Sequence, residues 1–339
     1  MIAIQISTPG QIGITEISAG PELGSGDVRL QMKVVGYCGS DLSTFQGRNP
    51  MVSFPRIPGH EVGAVILETG SGVPDSFQSG MTVTVSPYTS CGKCAACQSG
   101  RNNACENNET LGVQRDGALR PELVIPWQRV IPNSNLSFAE LALVEPLSVG
   151  FHAVSRGRVQ PGDTVAVIGC GVIGLGAIAG AADAGARVIA LDVADSKLEL
   201  ARACGAAEVV NSMESDPAEQ LSAMTNGLGP KVIIEAVGLP ATFRFAVDAV
   251  SYTGTVVYIG YAKTPVEYDT SLFVKKEIDI RGSRNALPED FDRVIQYLEK
   301  RLLPLDQVIS KTVSLAEGPQ AMEDWAANPG DITKIHVNV

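Results

Sequence analysis

Residues 164–192 read as an apolar strand, a glycine-rich turn, an apolar helix and a second strand ending in a carboxylate. The turn is Gly169-Cys170-Gly171-Val172-Ile173-Gly174, it follows Val165-Ala166-Val167-Ile168 directly, and Asp192 lies eighteen residues past Gly174. This spacing constrains the fold more than any other feature of the chain. Gly169 permits the tight turn, and Gly171 lets a phosphate approach the backbone. Val172 and Ile173 open a helix whose free amides face that phosphate, and Gly174 lets the helix lie close on the strand. A carboxylate at Asp192 can accept hydrogen bonds from both hydroxyls of an adenosine ribose and would repel a 2′-phosphate. The segment therefore reads as the first unit of a dinucleotide-binding Rossmann domain that prefers NAD to NADP. A glycine-rich turn in an ordinary apolar core would not require strand, helix and acid together. The stretch is apolar enough to suggest a membrane span, but its glycines, Asp183 and Arg187 break it.

The chain has 339 residues, more than one core usually serves, so more than one domain is expected. After residue 164 strands (187–191, 208–210, 232–235, 255–260) alternate with helical segments (196–204, near 216–225, 241–250), the pattern of a parallel, doubly wound α/β sheet. Before it, short apolar runs such as 28–35, 63–68 and 82–85 are separated by Gly and Pro, the pattern of a β-rich domain. The expected boundaries are 1–148, 149–285 and 286–339. The last segment holds an amphipathic helix, 289–300, and strand-like ends at 311–314 and 334–337.

A formal net charge of -11 argues against a nucleic-acid partner or an anionic membrane surface, both of which need clustered Lys and Arg. Residues 1–7 alternate like a strand and lack the basic-then-apolar layout of a signal peptide, so a cytoplasmic protein is expected. Seven cysteines in such a chain are read as thiols or metal ligands rather than disulfides. Cys170 and Cys204 read as small packed residues.

Four cysteines follow the spacing Cys91-x2-Cys94-x2-Cys97-x7-Cys105, in a loop with almost no apolar residues of its own. Four thiolates complete tetrahedral zinc with no open position, so a structural site is expected whose metal orders the loop. An iron–sulfur cluster has no partner redox centre here. A nucleic-acid-binding ribbon would need more than Lys93 and Arg101.

A second group is scattered: Cys38 in Gly36-Tyr-Cys-Gly-Ser-Asp41, His60-Glu61 after Pro58-Gly59, and Glu145 in Glu145-Pro-Leu-Ser-Val-Gly-Phe-His152. Taken singly, each has an ordinary structural reading; Glu145-Pro146, for example, reads as a helix start. Together they offer the donors of a zinc site with an open position. The residues alone leave both readings standing.

The order Cys-Gly-Ser-Asp, Pro-Gly-His-Glu, four-cysteine lobe, Glu-Pro-Leu and Gly-x-Gly-x-x-Gly resembles the zinc-containing medium-chain dehydrogenases over nearly the whole chain. Glu145 through His152 resembles the polyol (sorbitol) branch. Gly112-Val-Gln-Arg-Asp-Gly and the stretch from Gly282 to Phe291 are similar to sugar-acid (galactonate-type) members. The resemblance implies a GroES-like catalytic domain, a Rossmann domain and a C-terminal segment that returns to the first. It implies oxidation of a secondary alcohol of a polyol or sugar acid by NAD, with one catalytic and one structural zinc per chain, in a dimer or tetramer. The catalytic zinc would be held by Cys38, His60 and either Glu61 or Glu145. Ser40 matches the family's hydroxyl relay, and Ser43 stands where many members have a histidine. Lys197 matches a basic residue near the adenosine, and His152 a structural position. Arg48, Arg115 and Arg284 are candidates to meet a substrate carboxylate or phosphate.

Overall fold

The computed structural model describes all 339 residues. The chain forms two compact units, Met1–Glu145 with Leu305–Val339, and Pro146–Pro304.

The first unit is built on a seven-stranded sheet. Its centre is the long strand Asp27–Tyr37, paired antiparallel with Glu61–Thr69, with Glu122–Pro126 and with Ile335–Asn338. The side chains of Asp27–Tyr37 alternate, so Val28, Leu30 and Met32 enter a core shared with Ile4, Ile66, Leu119 and Met322. The C-terminal strand therefore completes the sheet begun near the N-terminus, and the strand Lys311–Ser314 pairs parallel to it. This places Lys334, at the entrance to the last strand, beside Tyr37 and Glu61. A separate two-stranded ribbon is made by Ile2–Thr8 and Gln11–Glu16.

The second unit is a six-stranded, all-parallel sheet. Its order is Glu208–Asn211, Arg187–Asp192, Thr164–Ile168, Val232–Glu235, Thr255–Tyr258 and Asp279–Gly282. That is the Rossmann order, with the switch point between Thr164–Ile168 and Val232–Glu235. The two central strands carry buried apolar runs at 165–168 and 232–234, as a sheet covered on both faces requires.

The helix Phe138–Gly157 runs through residues of both units and contains Pro146. Glu145-Pro146 is thus inside a helix, contrary to its reading as a helix start. The true start lies at Ser137, whose backbone N–H donates to Glu140 Oε2 (2.7 Å) while the Glu140 N–H donates to Ser137 Oγ (3.3 Å). This reciprocal cap, followed by the apolar run 141–144, outweighs the one backbone bond that Pro146 removes. No helix is long and apolar enough to cross a membrane.

Candidate active site and metal centres

Cys38 caps the short helix Gly39–Phe45, and Asp41 Oδ2 accepts the Cys38 N–H at 2.9 Å. The other Asp41 oxygen accepts the Gly59 N–H at 3.3 Å, tying the Cys38 turn to the Pro58-Gly59-His60 turn. His60 and Glu61 lie at the entrance to the second long strand, opposite Gly36. A side chain at Gly36 would overlap the Glu61 carboxylate, so glycine is required there. The result is a cluster in which donor atoms of Cys38, His60 and Glu61 all lie within 4.8 Å of one another. Pairing of distant strands, rather than sequence proximity, brings it together.

The cluster is buried and rich in anions. Glu61 is fully buried, and Lys334 Nζ donates to both its oxygens at 2.6 Å and to the Tyr37 carbonyl at 2.8 Å. Burial raises the Glu61 carboxyl to about 7, against the opposing pull of Lys334 and His60. Burial would lower His60, but the neighbouring Cys38 and Asp41 charges outweigh it and hold the imidazole well above its ordinary value. His60 Nδ1 has no hydrogen-bond partner, because Asp41 Oδ1 lies 4.0 Å away. Glu145 is also buried, and one of its oxygens accepts the Tyr88 hydroxyl. A thiol, a buried imidazole with an unpartnered nitrogen and one carboxylate are three donors, the number zinc takes when one position stays open. Ser40, two residues past Cys38, carries a buried hydroxyl with no partner in the protein.

The four-cysteine lobe is separate and of another kind. The sulfurs of Cys91, Cys94, Cys97 and Cys105 share one cluster, with Cys94 Sγ 3.5 Å from Cys97 Sγ and 3.9 Å from Cys105 Sγ. Edges of about 3.8 Å are expected for four sulfurs about 2.3 Å from one zinc. A disulfide would bring two sulfurs to about 2 Å, and all four cysteines are free. Backbone N–H groups of Cys91 and Asn107 each donate to Cys105 Sγ at 3.3 Å. Hydrogen bonds from the Lys93 and Cys94 backbone lower the Cys91 thiol to about 6, favouring the thiolate a metal needs.

In the second unit Gly169 adopts a left-handed φ of 94°, and its N–H donates to Leu191 O at 2.8 Å. A side chain at Gly174 would overlap the Gly169 carbonyl, whereas one at Gly171 would meet nothing within 4 Å. The backbone at Gly171, the N-cap of the helix Val172–Asp183, is therefore open to a ligand's phosphates. Asp192 Oδ2 accepts the Cys170 N–H at 2.7 Å, and Oδ1 accepts the Val193 N–H at 2.7 Å. The carboxylate is thus fixed beside the glycine turn. Lys197 lies half-buried on the next helix, Asp195–Ala203.

His152 belongs to the scaffold of this unit: its Nδ1 lies 2.7 Å from Asp290 Oδ2, with both residues buried. Ser43 is half-buried on the helix that carries Ser40, Arg48 is exposed just beyond it, and Arg284 is half-buried in the second unit. Arg115 donates to the Pro87 carbonyl at 3.3 Å. Two residues of the centre, Lys334 and Tyr88, went unrecognised in the sequence. A lysine at the entrance to a terminal strand was the available signal for the first, and no local signal marks the second.

Residues 24–135 match the alcohol dehydrogenase GroES-like domain, and residues 172–300 match the zinc-binding dehydrogenase domain. The chain is 32% identical to an L-galactonate-5-dehydrogenase of Escherichia coli over 93% of this chain and 92% of that protein. It is 35% identical to a sorbitol dehydrogenase of Bacillus subtilis over 89% of this chain and 87% of that protein. The chain belongs to the zinc-binding alcohol dehydrogenase family. Among solved structures, an Escherichia coli alcohol dehydrogenase complexed with NADH superposes with a TM-score of 0.92 at 29% identity, covering 100% of this chain and 99% of the other. The GroES-like and Rossmann architecture, the enzymatic character and the dependence on zinc expected of this dehydrogenase all hold.

Proposed function

We propose that this dehydrogenase oxidises a secondary hydroxyl of a polyol or sugar acid, with NAD as acceptor, and reduces the ketone in reverse. The observation that carries the reading is the convergence of Cys38, His60 and Glu61, with a buried, unpartnered hydroxyl on Ser40 two residues past Cys38. The substrates named for the sorbitol and L-galactonate relatives support the substrate class. When bound, zinc would supply Lewis-acid polarisation of the substrate hydroxyl, and NAD a hydride acceptor.

The protein's own groups bind, orient and move protons. Cys38, His60 and either Glu61 or Glu145 would hold the metal directly, the other carboxylate reaching it through water or alternating with it, and Lys334 anchors Glu61. Ser40 relays the proton leaving the substrate hydroxyl, its oxygen taking that proton as its own O–H proton passes outward to water, or to Ser43 through water. Gly169, Gly171, Val172, Ile173 and Gly174 form the phosphate cradle, Asp192 binds the adenosine ribose, and Lys197 lies at the adenosine edge. Cys91, Cys94, Cys97 and Cys105 hold a structural zinc. The first unit is the catalytic domain and the second the cofactor domain. Asp279–Gly282, an edge strand with three of four residues exposed, would pair with a second copy to form a dimer or tetramer. Cysteines that serve as metal ligands or packed thiols suit a reducing compartment, and we place the enzyme in the cytoplasm.

The test is NADH formation across polyols, aldonic acids and simple secondary alcohols, with NAD and NADP in parallel. Turnover of a polyol or aldonic acid with NAD is expected. Preference for a simple alcohol, or silence from protein shown to hold two zinc ions, would overturn the substrate reading. Asp192→Ala is expected to raise KM for NAD roughly 10- to 100-fold, the loss of charge-assisted hydrogen bonds, with kcat little changed.

A further inference from the structure

The two buried carboxylates proposed above for the centre, Glu61 and Glu145, are held by different partners. Glu61 is gripped by a cation, Lys334, on both oxygens. Glu145 receives the hydroxyl of Tyr88, a neutral donor whose ring is 5% exposed.

Tyr88 is held from its backbone. It forms an antiparallel bridge with Thr110, and hydrogen bonds flank it from Leu111 N–H to Pro87 O and from Thr89 N–H to Glu109 O, both 3.1 Å. Glu145 rides on a helix, one residue before Pro146. A fixed donor thus meets a carboxylate whose own anchor is fifty-seven residues away in sequence.

We propose that Tyr88 is a positioning residue of the metal centre: its hydroxyl fixes the Glu145 carboxylate in the orientation that serves the metal held by Cys38 and His60. The proposal rests on the reading of that cluster as the catalytic zinc site. Partners of metal ligands in comparable positions change metal affinity by about 10- to 100-fold when removed.

The test compares Tyr88→Phe, Glu145→Gln and the double variant, in full-length protein with the four-cysteine lobe loaded. Zinc released from the Cys38 centre to a chromogenic chelator is measured, together with the absorption spectrum after cobalt(II) replaces that zinc. Tyr88→Phe is expected to weaken zinc at the Cys38 centre about tenfold and to shift the cobalt spectrum. The thiolate-to-cobalt bands of the lobe should not change. The double variant should bind zinc no more weakly than Glu145→Gln alone, because the tyrosine acts through that carboxylate. Unchanged affinity and spectrum in Tyr88→Phe, with weakening in Glu145→Gln, would overturn the proposal and leave the zinc site standing. Additive losses would overturn it too, as Tyr88 would then act independently of Glu145. If neither variant changes anything while Cys38→Ser loses the metal, Glu145 lies outside the centre and the proposal falls with it. If even Cys38→Ser keeps two zinc ions, the zinc-site reading itself fails. Should Tyr88→Phe not fold, the wild type decides: zinc added to the emptied Cys38 centre should produce a tyrosine difference spectrum that Glu145→Gln diminishes, and no such spectrum would overturn the proposal.

Discussion

The four-cysteine lobe and the Cys38–His60 cluster lie in one folding unit, yet they are built in opposite ways. The lobe draws all its donors from residues 91–105, presents thiols alone, and shows no buried aliphatic core among its short turns. The other cluster joins Cys38, His60 and Glu61, with Lys334 on Glu61 and, separately, Tyr88 on Glu145. Its donors are mixed, with His60 and Glu61 buried and Cys38 half-buried, and Glu61 and Glu145 each have a partner of their own. A site made only to hold metal can be local and uniform. A site that must leave a coordination position open needs unequal ligands, fixed from outside by the fold.

The sharpest way to break this comparison is to remove one thiol from each. Cys38→Ser should lose one zinc of two and reduce kcat on the order of a thousandfold or more, because the polarising centre supplies several kcal/mol of transition-state stabilisation. Cys97→Ser should also lose one zinc. Its main effect should be loss of hydrogen-exchange protection over residues 91–108, with kcat for the folded fraction reduced less than about tenfold. Metal analysis beside steady-state kinetics separates the two. Equal kinetic damage from both variants would show that the lobe takes part in the chemistry.

The same contrast accounts for what could be read in the sequence. The lobe, the glycine turn and the βα alternation are short-range patterns, and their residues are neighbours in both sequence and space. The scattered ligands have individually ordinary settings; only their order along the chain, matched to a family, joined them. Lys334 and Tyr88 had no comparable signal, since their significance comes from pairing of Ile335–Asn338 with Asp27–Tyr37 and from a helix that begins at Ser137. Glu145-Pro146 misled for a physical reason. Proline's preference for a helix start is real, but the Ser137–Glu140 cap and the apolar turn before it decide where the helix begins.

A smaller effect should come from Lys334, which is 1% exposed and bound to both oxygens of Glu61. Lys334→Ala leaves a buried carboxylate without its cation and should destabilise the first unit by about 3–5 kcal/mol. Lys334→Met combined with Glu61→Gln keeps the volume and removes both charges, and should recover most of that loss in denaturant unfolding. A single Lys334→Ala variant as stable as wild type would mean that the zinc, rather than the lysine, balances Glu61.

The smallest effect separates the burial of the centre from its metal chemistry. His336 lies two residues beyond Lys334, is 1% exposed, and has no hydrogen-bond partner on either ring nitrogen. Burial, with Lys334 nearby, lowers its imidazole to about 3. The folded protein therefore keeps His336 neutral where the unfolded chain would already be protonated, below about pH 6.5. Protonation favours the unfolded chain, so the His336 contribution is largest above pH 6.5. It declines as the pH falls towards 3, by up to a few kcal/mol. His336→Leu should remove that slope, making the variant relatively more stable at pH 5 than at pH 8, as chemical denaturation at the two values would measure. Because the slope arises from burial and a fixed cation, it should persist after zinc is stripped from the four-cysteine lobe. A slope that vanishes with the lobe's zinc would mean that the two regions are not energetically separate.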